Sequence, residues 1–403
     1  MTNLAPHLWA VLPWCRQLLL PSPGGRFTRN PTAYATTRIS GASRAGRGLR
    51  PAGSWKLRVL SDTEARLYYD PTRLLRHTDP TSCFTIIGLA MFIECLNVAA
   101  GPLGFCVEAR HAPEARLNYA ATTPQLFADL RLAPRSSPAT LADRELIKQR
   151  RTSRRPYDGR LVAAEIQRQL TTLAAAHGHQ FVFATDPTMV DFVIDLNRQA
   201  LFADLDDAPV RQELAALIRT TDEQARTHKD GLWNRCMGFP GRLMHNFFFH
   251  SERFRSPWKR AVLGKVYQHS MHGTASVAWL RGPFTTRADW LRAGTLMQRL
   301  WLEMTRYGVY LHPFGSVVTN PAAHQQFLAK IGSQSADAPL WLLLRLGYGT
   351  EPPRSLRLDL AVLDLTAPSR SAWRSQLEGF EPEFAVAETL LAHRLEVAHL
   401  RGE

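Results

Sequence analysis

The chain has 403 residues but only five cysteines, and none of them forms a Cys-x-x-Cys pair. An odd number of scattered thiols argues against a disulfide framework and favours a reducing compartment, so we expect a cytoplasmic protein. No uninterrupted apolar run reaches the ~18 residues that a membrane span requires. The sequence therefore predicts neither a disulfide-stapled secreted domain nor a protein anchored by a transmembrane helix.

Acidic residues are missing from the first part of the chain, where the earliest is Asp62. Residues 1–61 hold eight Arg and one Lys, and so carry +9 of the formal net charge of +14. Because so much of the charge lies in this head, the pI of about 10.1 is weaker support for a nucleic-acid partner than it would be if the charge were spread evenly. Residues 1–52 show no sustained period of 2 or 3.6, and we expect them to be poorly ordered. Their Arg- and Ser-rich composition resembles an organellar transit peptide, whereas no charge precedes the apolar stretch 8–20, as a secretory signal would require.

The apolar fraction of 45% is ample for a buried core. Thr286 and Asp289 form a capping-box-like start to the strongest helical pattern, which covers residues 286–307. Periodicity predicts further helices over 81–100, 162–176, 189–205 and 209–227. It predicts strands at 55–60, 65–69, 181–184 and 340–346, the last nearly all apolar and hence central in its sheet. Mixed helices and strands in this order indicate an α+β fold.

Between residues 230 and 273 the sequence is aromatic and basic but has no regular period. A long segment of this kind in a compact domain is more often a functional lid than a coil, so we expect a lid at about 230–273. His269 and His272 have the spacing of metal ligands, with His245 and His250 nearby in sequence. No further His or Cys at typical spacing closes that set, and we expect no metal site.

The most informative segment is residues 150–157, Arg-Arg-Thr-Ser-Arg-Arg-Pro-Tyr. Guanidiniums and hydroxyls in so short a stretch are suited to gripping a phosphate monoester. An Arg run taken alone is more often a solvated surface. Two later segments supply a possible complement: Gly294-Thr295-Leu296-Met297-Gln298, which we expect to open the patterned helix, and Leu344–Gly349 followed by Pro353-Arg354-Ser355-Leu356-Arg357.

In their order and spacing these three segments resemble the flavin mononucleotide (FMN) enzymes of the nitroreductase superfamily. The resemblance is closest to the Acg-type branch, in which two nitroreductase cores are fused, and it covers about residues 54–362. It implies a three-layer α+β fold whose two halves form a pseudo-dimer: a degenerate first half at 53–140 and a second half at 141–365, followed by a C-terminal extension at 366–403. One departure concerns the family's Asn-x-Gln-Pro-Trp loop, in place of which this chain has Ala52-Gly53-Ser54-Trp55-Lys56.

The resemblance also implies how FMN would be held. Residues that match the family's phosphate, ribityl and pyrimidine contacts are Arg150, Arg151, Thr152 and Arg154. Ser355 and Arg357 match its second phosphate contact, and Gly315 matches the backbone N–H near flavin N5. The implied reaction is hydride transfer from NAD(P)H through FMN to an electron-poor acceptor such as a nitroaromatic or quinone, with no side chain acting as nucleophile.

Two alternatives to this enzyme remain open. One is a flavin-binding or storage protein whose closed lid allows little turnover, and the other is a basic nucleic-acid-binding protein. For the enzyme we expect a monomer, a small-molecule acceptor and no membrane partner. The sequence does not distinguish NADH from NADPH.

Overall fold

The computed structural model describes residues 55–61, 63–113, 117–136, 141–332 and 338–356 of the 403-residue chain. The predictions for the head at 1–52, for the extension at 366–403 and for Arg357 fall outside these residues.

Within the described residues the strands are β1 (Trp55–Val59), β2 (Glu64–Tyr69), β3 (Phe105–His111), β4 (Gln125–Pro134), β5 (Gln180–Ala184), β6 (Ile218–Arg219), β7 (Leu232–Trp233), β8 (Ser276–Arg281), β9 (Tyr310–Pro313) and β10 (Leu340–Gly347). The α-helices are α1 (Cys83–Ala100), α2 (Leu141–Gln149), α3 (Ala164–Ala176), α4 (Pro187–Asp206), α5 (Ala208–Leu217), α6 (Asp222–His228), α7 (Asn234–Met237), α8 (Gly241–Phe249), α9 (Pro257–Ser270), α10 (Arg287–Arg306), α11 (Gly315–Thr319) and α12 (Pro321–Lys330).

Eight of the ten described strands form two four-stranded antiparallel sheets, and β6 pairs with β7 in parallel. This mixture of helices and sheets confirms the α+β prediction. The first sheet has the order β1-β2-β4-β3, and β2 alternates buried and exposed side chains as expected for a sheet with one face on a core. The second sheet has the order β5-β8-β10-β9. Its strand β10 lies between two neighbours and is almost entirely buried, as its apolar sequence predicts.

A pair of helices, α1 and α10, lies between the two sheets. Ile86 and Leu89 of α1 belong to the core of the first sheet, and Leu296 and Leu300 of α10 belong to the core of the second. The two helices cross closely at Gly294, where a side-chain Cβ would stand 2.6 Å from the Ile87 carbonyl oxygen. Glycine is therefore required there by space rather than by backbone conformation.

The second half consists of three layers, with α10 and α3 on one face of its sheet and α4 and α12 on the other. The predicted capping box is confirmed, because Thr286 and Asp289 each bond the other's backbone N–H. The helix begins at Arg287, however, so residues 294–298 lie inside it and do not open it as expected. The arrangement of the two halves as a pseudo-dimer stays a prediction.

Helix α1 is long and apolar enough to cross a membrane: the stretch Cys83–Leu103 meets that test by length and composition among the described residues. More than half of it, 56%, is buried inside the protein. Asp79 fixes the start of α1, since its carboxylate accepts hydrogen bonds from the backbone N–H groups of Phe84 and Thr85. A buried core helix therefore accounts for this stretch.

The prediction of one helix over residues 209–227 is wrong. The structure has α5, the two-residue strand β6 and then α6, with Thr221 capping α6 by accepting from Gln224 N–H. The break falls at Arg219, whose guanidinium bonds the Asp230 carboxylate at 2.6 Å and the Ile218 carbonyl at 3.0 Å. Because a buried guanidinium must have its donors satisfied, this ion pair overrides the helical period.

Candidate functional site

The Arg-rich segment 150–157 is placed by hydrogen bonds to the second sheet. Thr152 forms a parallel bridge with Leu311 of β9, and the Ser153 N–H donates to the Leu311 carbonyl at 3.0 Å. Further along, the Tyr157 N–H donates to the His272 carbonyl at 2.9 Å. The segment therefore extends the sheet edge beside β9, and its side chains are held by a rigid element.

Two glycines leave room for Tyr157 at the end of this segment. A Cβ on Gly347 would stand 2.5 Å from the Tyr157 ring, and a Cβ on Gly273 would stand 1.9 Å from the Tyr157 carbonyl oxygen. Gly273 also has a positive φ of 71°, a conformation that other residues rarely adopt. The Gly347-Tyr348-Gly349 turn, unremarkable as a sequence motif, is thus part of the seat for the Arg-rich segment.

Arg345 links three parts of the site, and the sequence analysis did not select it. Its side chain is fully buried in β10. It donates from Nε to His312 Nδ1 at 3.1 Å, from Nη1 to Thr274 Oγ1 at 3.0 Å and from Nη2 to the Arg155 carbonyl at 2.7 Å. The guanidinium also lies over the Tyr157 ring, 4.3 Å from its centroid. The available signal was a single charged residue within an otherwise apolar strand.

The fold brings Arg354 close to Arg150 and Arg151, although some two hundred positions separate them in sequence. We call Arg150, Arg151 and Arg354 the Arg150 cluster. Burial lowers the pKa of Arg354, and the nearby charges of Arg151 and Arg150 lower it further. Exposed Glu351 pairs with Arg151 at 2.7 Å. The fold thus gathers three guanidiniums at one place.

Separate contacts orient Arg150 and Ser355. The Arg150 guanidinium stacks over the Trp301 ring of α10 at 4.4 Å and approaches Cys95 Sγ at 3.9 Å. Ser355 does not point to an arginine, since its hydroxyl donates to Cys236 Sγ at 3.7 Å. Arg357 lies outside the described residues.

Arg154 forms a second positive centre. Burial lowers the pKa of Arg154, and Arg345 lowers it further, whereas the Cys236 thiol opposes this shift. Within the described ranges no carboxylate lies at ion-pair distance from Arg154. A guanidinium in a low-dielectric position without an acidic partner is stabilised by an anionic or strongly polar ligand.

His312 lies between Arg154 and Arg345. Burial and the charges of those two arginines hold the pKa of His312 well below its usual range, so the ring is neutral. Its Nδ1 accepts the hydrogen bond from Arg345, which places the ring proton on Nε2. His312 can therefore donate a hydrogen bond from Nε2 to a ligand in the site.

Arg154 and His312 line a cavity of about 190 Å³ beneath helices α8 and α9. The predicted residue Gly315, at the start of α11, lines the same cavity. The other walls are mainly apolar and include Phe202, Met237, Phe247, Phe248, Leu263 and Met271. Concave apolar walls with a few polar groups are typical of small-molecule sites.

One polar group in this cavity has an unsatisfied atom. Asn197, which is 7% exposed, donates from Nδ2 to the Tyr267 hydroxyl at 2.6 Å. Its Oδ1 is buried and has no hydrogen-bond partner in the described part of the chain. Since buried polar atoms are normally paired, this amide is suited to a ligand that offers a hydrogen-bond donor.

The aromatic segment, residues 230–273, covers this cavity. The sequence showed no regular period there, yet the segment contains α7, α8 and α9. Helix α9 contributes Leu263, Tyr267 and the partly exposed Val266 to the cavity, while Val262 faces solvent. Apolar residues on both sides of the helix conceal the 3.6-residue period that would have predicted it.

A second cavity, of about 510 Å³, lies between the loop before α1 and the C-terminal end of α4. Its lining includes the carboxylates of Asp79, Asp204 and Asp207. These charges make it a poor site for a phosphate.

In the described ranges no group of three His, Cys, Asp or Glu side chains is arranged to hold a metal ion. His269 and His272 therefore belong to no such group.

No family model and no curated protein sequence matches the chain. Solved structures similar to it include a nitroreductase-like family protein from Bacillus cereus, with 14% identity and a TM-score of 0.32, covering 54% of this chain and 91% of that one. An FMN-dependent nitroreductase from Mycobacterium smegmatis, solved with NADPH, has 17% identity, a TM-score of 0.32 and coverages of 53% and 95%. A nitroreductase with bound FMN from Bacteroides fragilis has 14% identity, a TM-score of 0.31 and coverages of 53% and 92%. Identities and TM-scores this low do not assign a function, which is argued below from this chain's own residues.

Proposed function

We propose that the protein binds FMN and transfers hydride from NAD(P)H to an electron-poor acceptor such as a nitroaromatic or quinone. The observation that carries the proposal is the convergence of the Arg150 cluster from two segments of the chain that the family motifs single out. Guanidiniums gathered at one place are the donors that bind a phosphate dianion. Arg357 is proposed as a further contact on the strength of the sequence motif.

The cavity residues fit the polar edge of a flavin. The pyrimidine ring of FMN presents carbonyl acceptors and one N–H donor. Arg154 and His312 offer donors, and the unpaired Asn197 Oδ1 offers an acceptor. The complementary pattern and the absence of an acid beside Arg154 in the described ranges both support a flavin at this position.

When bound, FMN supplies the two-electron chemistry. Arg154 is placed to stabilise negative charge on the ring, because its own charge is not neutralised by a carboxylate. His312 donates from Nε2 in a fixed tautomer, which Arg345 maintains. The apolar walls from α8 and α9 exclude water, and they strengthen these interactions by lowering the local dielectric.

The volume of the cavity favours one alternative function. Pockets that hold drug-sized ligands are usually about 300–1,000 Å³, and a cavity of ~150 Å³ holds a single benzene ring. At 190 Å³ the cavity has room for little more than one ring of a flavin, and it has none for an acceptor beside that ring unless α8 and α9 move outward. A flavin-storage protein with a closed lid is therefore the second candidate.

An absorption spectrum of the freshly purified protein tests the proposal. We expect flavin bands, release of FMN on denaturation, and bleaching when NADH or NADPH is added without oxygen.

Flavin bands that do not bleach with either nucleotide would favour storage. A colourless protein that also fails to bind added FMN would contradict both candidates, and tight binding of oligonucleotides by such a protein would favour the nucleic-acid alternative. Arg168→Ala is a suitable control variant, because Arg168 is exposed and pairs with Glu165 of its own helix.

A further inference from the structure

The outer side of the aromatic segment carries an apolar surface. Trp258, Val262 and Val266 follow each other at four-residue spacing on α9, so they share one face of the helix. Their exposed fractions are 66%, 52% and 39%, and Phe249 at the end of α8 is 48% exposed. We call these four residues the apolar stripe. Exposed apolar residues are common singly, but three on one helix face with a fourth nearby in sequence indicate an interaction surface.

Positive charge surrounds the apolar stripe. Residues 241–270 contain six Lys and Arg and a single acid, Glu252. Of the six cations, Arg260 is paired with Asp206. The others have no carboxylate partner within the described residues: Arg242, Arg253, Arg255, Lys259 and Lys265. A partner for this face must therefore supply both apolar contact and negative charge.

We propose that α8 and α9 dock on an anionic lipid surface, with the apolar stripe entering the headgroup region. A helix with aliphatic and aromatic residues on one side, flanked by Lys and Arg, lies in the plane of such a surface. Trp258 has the side chain that is enriched at membrane interfaces, and Lys259 extends beside it, 5.5 Å from its ring. The prediction of no membrane partner rested on the lack of a spanning segment, and surface docking requires none.

Two other occupants fit the face less well. A second copy of the chain would bring like charges together, because the face itself and the whole protein, at +14, are both basic. A nucleic acid would use the cations and could stack on Trp258. It would gain little from Val262 and Val266, which offer neither charge nor a stacking surface.

Docking would also affect the site beneath. The inner side of α9 lines the cavity through Leu263 and Tyr267, so an acceptor dissolved in the bilayer would lie one helix away from the proposed flavin. This consequence rests on the proposed function, whereas the docking itself does not.

The test is sedimentation of the full-length protein with vesicles of phosphatidylcholine alone or with 30% phosphatidylglycerol. Trp258→Ser/Val262→Asn removes most of the apolar stripe and leaves every cation in place. Leu161→Asn is the matched control, since Leu161 is 56% exposed and lies outside the aromatic segment. All three proteins should unfold at the same urea concentration, because the substituted side chains are exposed.

We expect wild type and Leu161→Asn to bind the anionic vesicles, and the double variant to bind them about tenfold more weakly, from the loss of apolar burial. Brominated lipids should quench part of the wild-type fluorescence, and Trp258→Phe should abolish that part. Equal partition of all variants would overturn the proposal, since binding would then depend on charge elsewhere. So would the absence of vesicle binding, dimerisation that is lost in the double variant, or binding of oligonucleotides but not vesicles through Trp258.

Discussion

Arg345 donates a hydrogen bond from its Nε to His312 Nδ1 across neighbouring strands of the second sheet, where the two residues are directly paired. The same guanidinium also reaches the Arg-rich segment through the Arg155 carbonyl, and it reaches Thr274, the residue that follows the aromatic segment. One buried side chain thus links β9, the Arg-rich segment and the residue that follows the aromatic segment.

Arg345→Met should lower the free energy of unfolding by about 2–3 kcal/mol, because it leaves the Arg155 carbonyl and His312 Nδ1 buried without a donor. Urea denaturation followed by circular dichroism measures the change, with Arg168→Met as an exposed control. An Arg345→Met protein as stable as the control would mean that these bonds contribute nothing net to the fold.

His312 should make the protein sensitive to mild acid. Because its pKa is lowered in the folded state, the unfolded chain takes up a proton below pH ~6.5 while the folded chain does not. Stability therefore falls as pH decreases from about 6.5, by up to about 1.4 kcal/mol per pH unit for this group. His312→Gln keeps an acceptor for Arg345 and should lose less stability than wild type between pH 7 and pH 5. Parallel pH profiles for the two proteins would argue against a depressed His312 pKa.

Arg150→Ala and Arg357→Ala should each weaken FMN binding about tenfold or more, since each loses a charge-assisted bond of about 1.5–3 kcal/mol to the phosphate. Titration of the flavin-free protein with FMN and with riboflavin separates the phosphate contribution from that of the ring. Riboflavin affinity should be nearly unchanged in both variants. If FMN affinity is also unchanged, the Arg150 cluster is not the phosphate site.

Arg154→Met should have opposite effects on stability and on binding. Replacing a cation that lacks an acidic partner by an apolar side chain of similar length should stabilise the flavin-free protein, by up to about 1 kcal/mol. FMN and riboflavin should both bind more weakly, because Arg154 is assigned to the ring and not to the phosphate. A loss for FMN alone would instead place Arg154 at the phosphate.

Gly273→Ala should displace Tyr157 and with it the Arg-rich segment. The added Cβ would meet the Tyr157 carbonyl oxygen at 1.9 Å, and overpacking of this kind costs about 1–3 kcal/mol. Gly332→Ala is the matched control, because Gly332 also has a positive φ, 63°, but has open space around its α-carbon. Both substitutions carry the same kind of backbone strain, so the difference between them isolates the steric effect. Equal melting temperatures and equal flavin content would contradict the close approach at Gly273.

The sequence pattern predicted helices and strands correctly where one face is apolar and capping residues mark the ends. Helix α10 is the clearest case, since Thr286 and Asp289 fix its start and the apolar residues along one side fix the face that is buried. The interior place of β10 followed from its unbroken apolar run. The aromatic segment could not be predicted in this way, because α9 is apolar on its inner and outer sides and its period is hidden.

The sequence likewise predicted some residues of the candidate site and missed others. Short motifs located the Arg-rich segment and residues 353–357, and the fold brings the described parts of these two together. His312 and Asn197 lie outside the motifs, and Arg345 lies in the segment Leu344–Gly349 without a predicted role. Each of the three acts through a tertiary contact with residues distant in sequence. The assignment of Ser355 to phosphate also needs the ligand, since its hydroxyl is turned toward Cys236.

The close crossing of α1 and α10 has a consequence for synthesis on the ribosome. The first sheet and α1 are complete by residue 136, yet their core also includes Trp290 and Leu291 from α10. At about 5–20 residues per second, some 150 further residues take roughly 8–30 seconds to emerge. During that interval the apolar side of α1 that later faces α10 is exposed on the nascent chain. Production of the folded protein therefore depends on how well chaperones shield one early helix until a late one arrives.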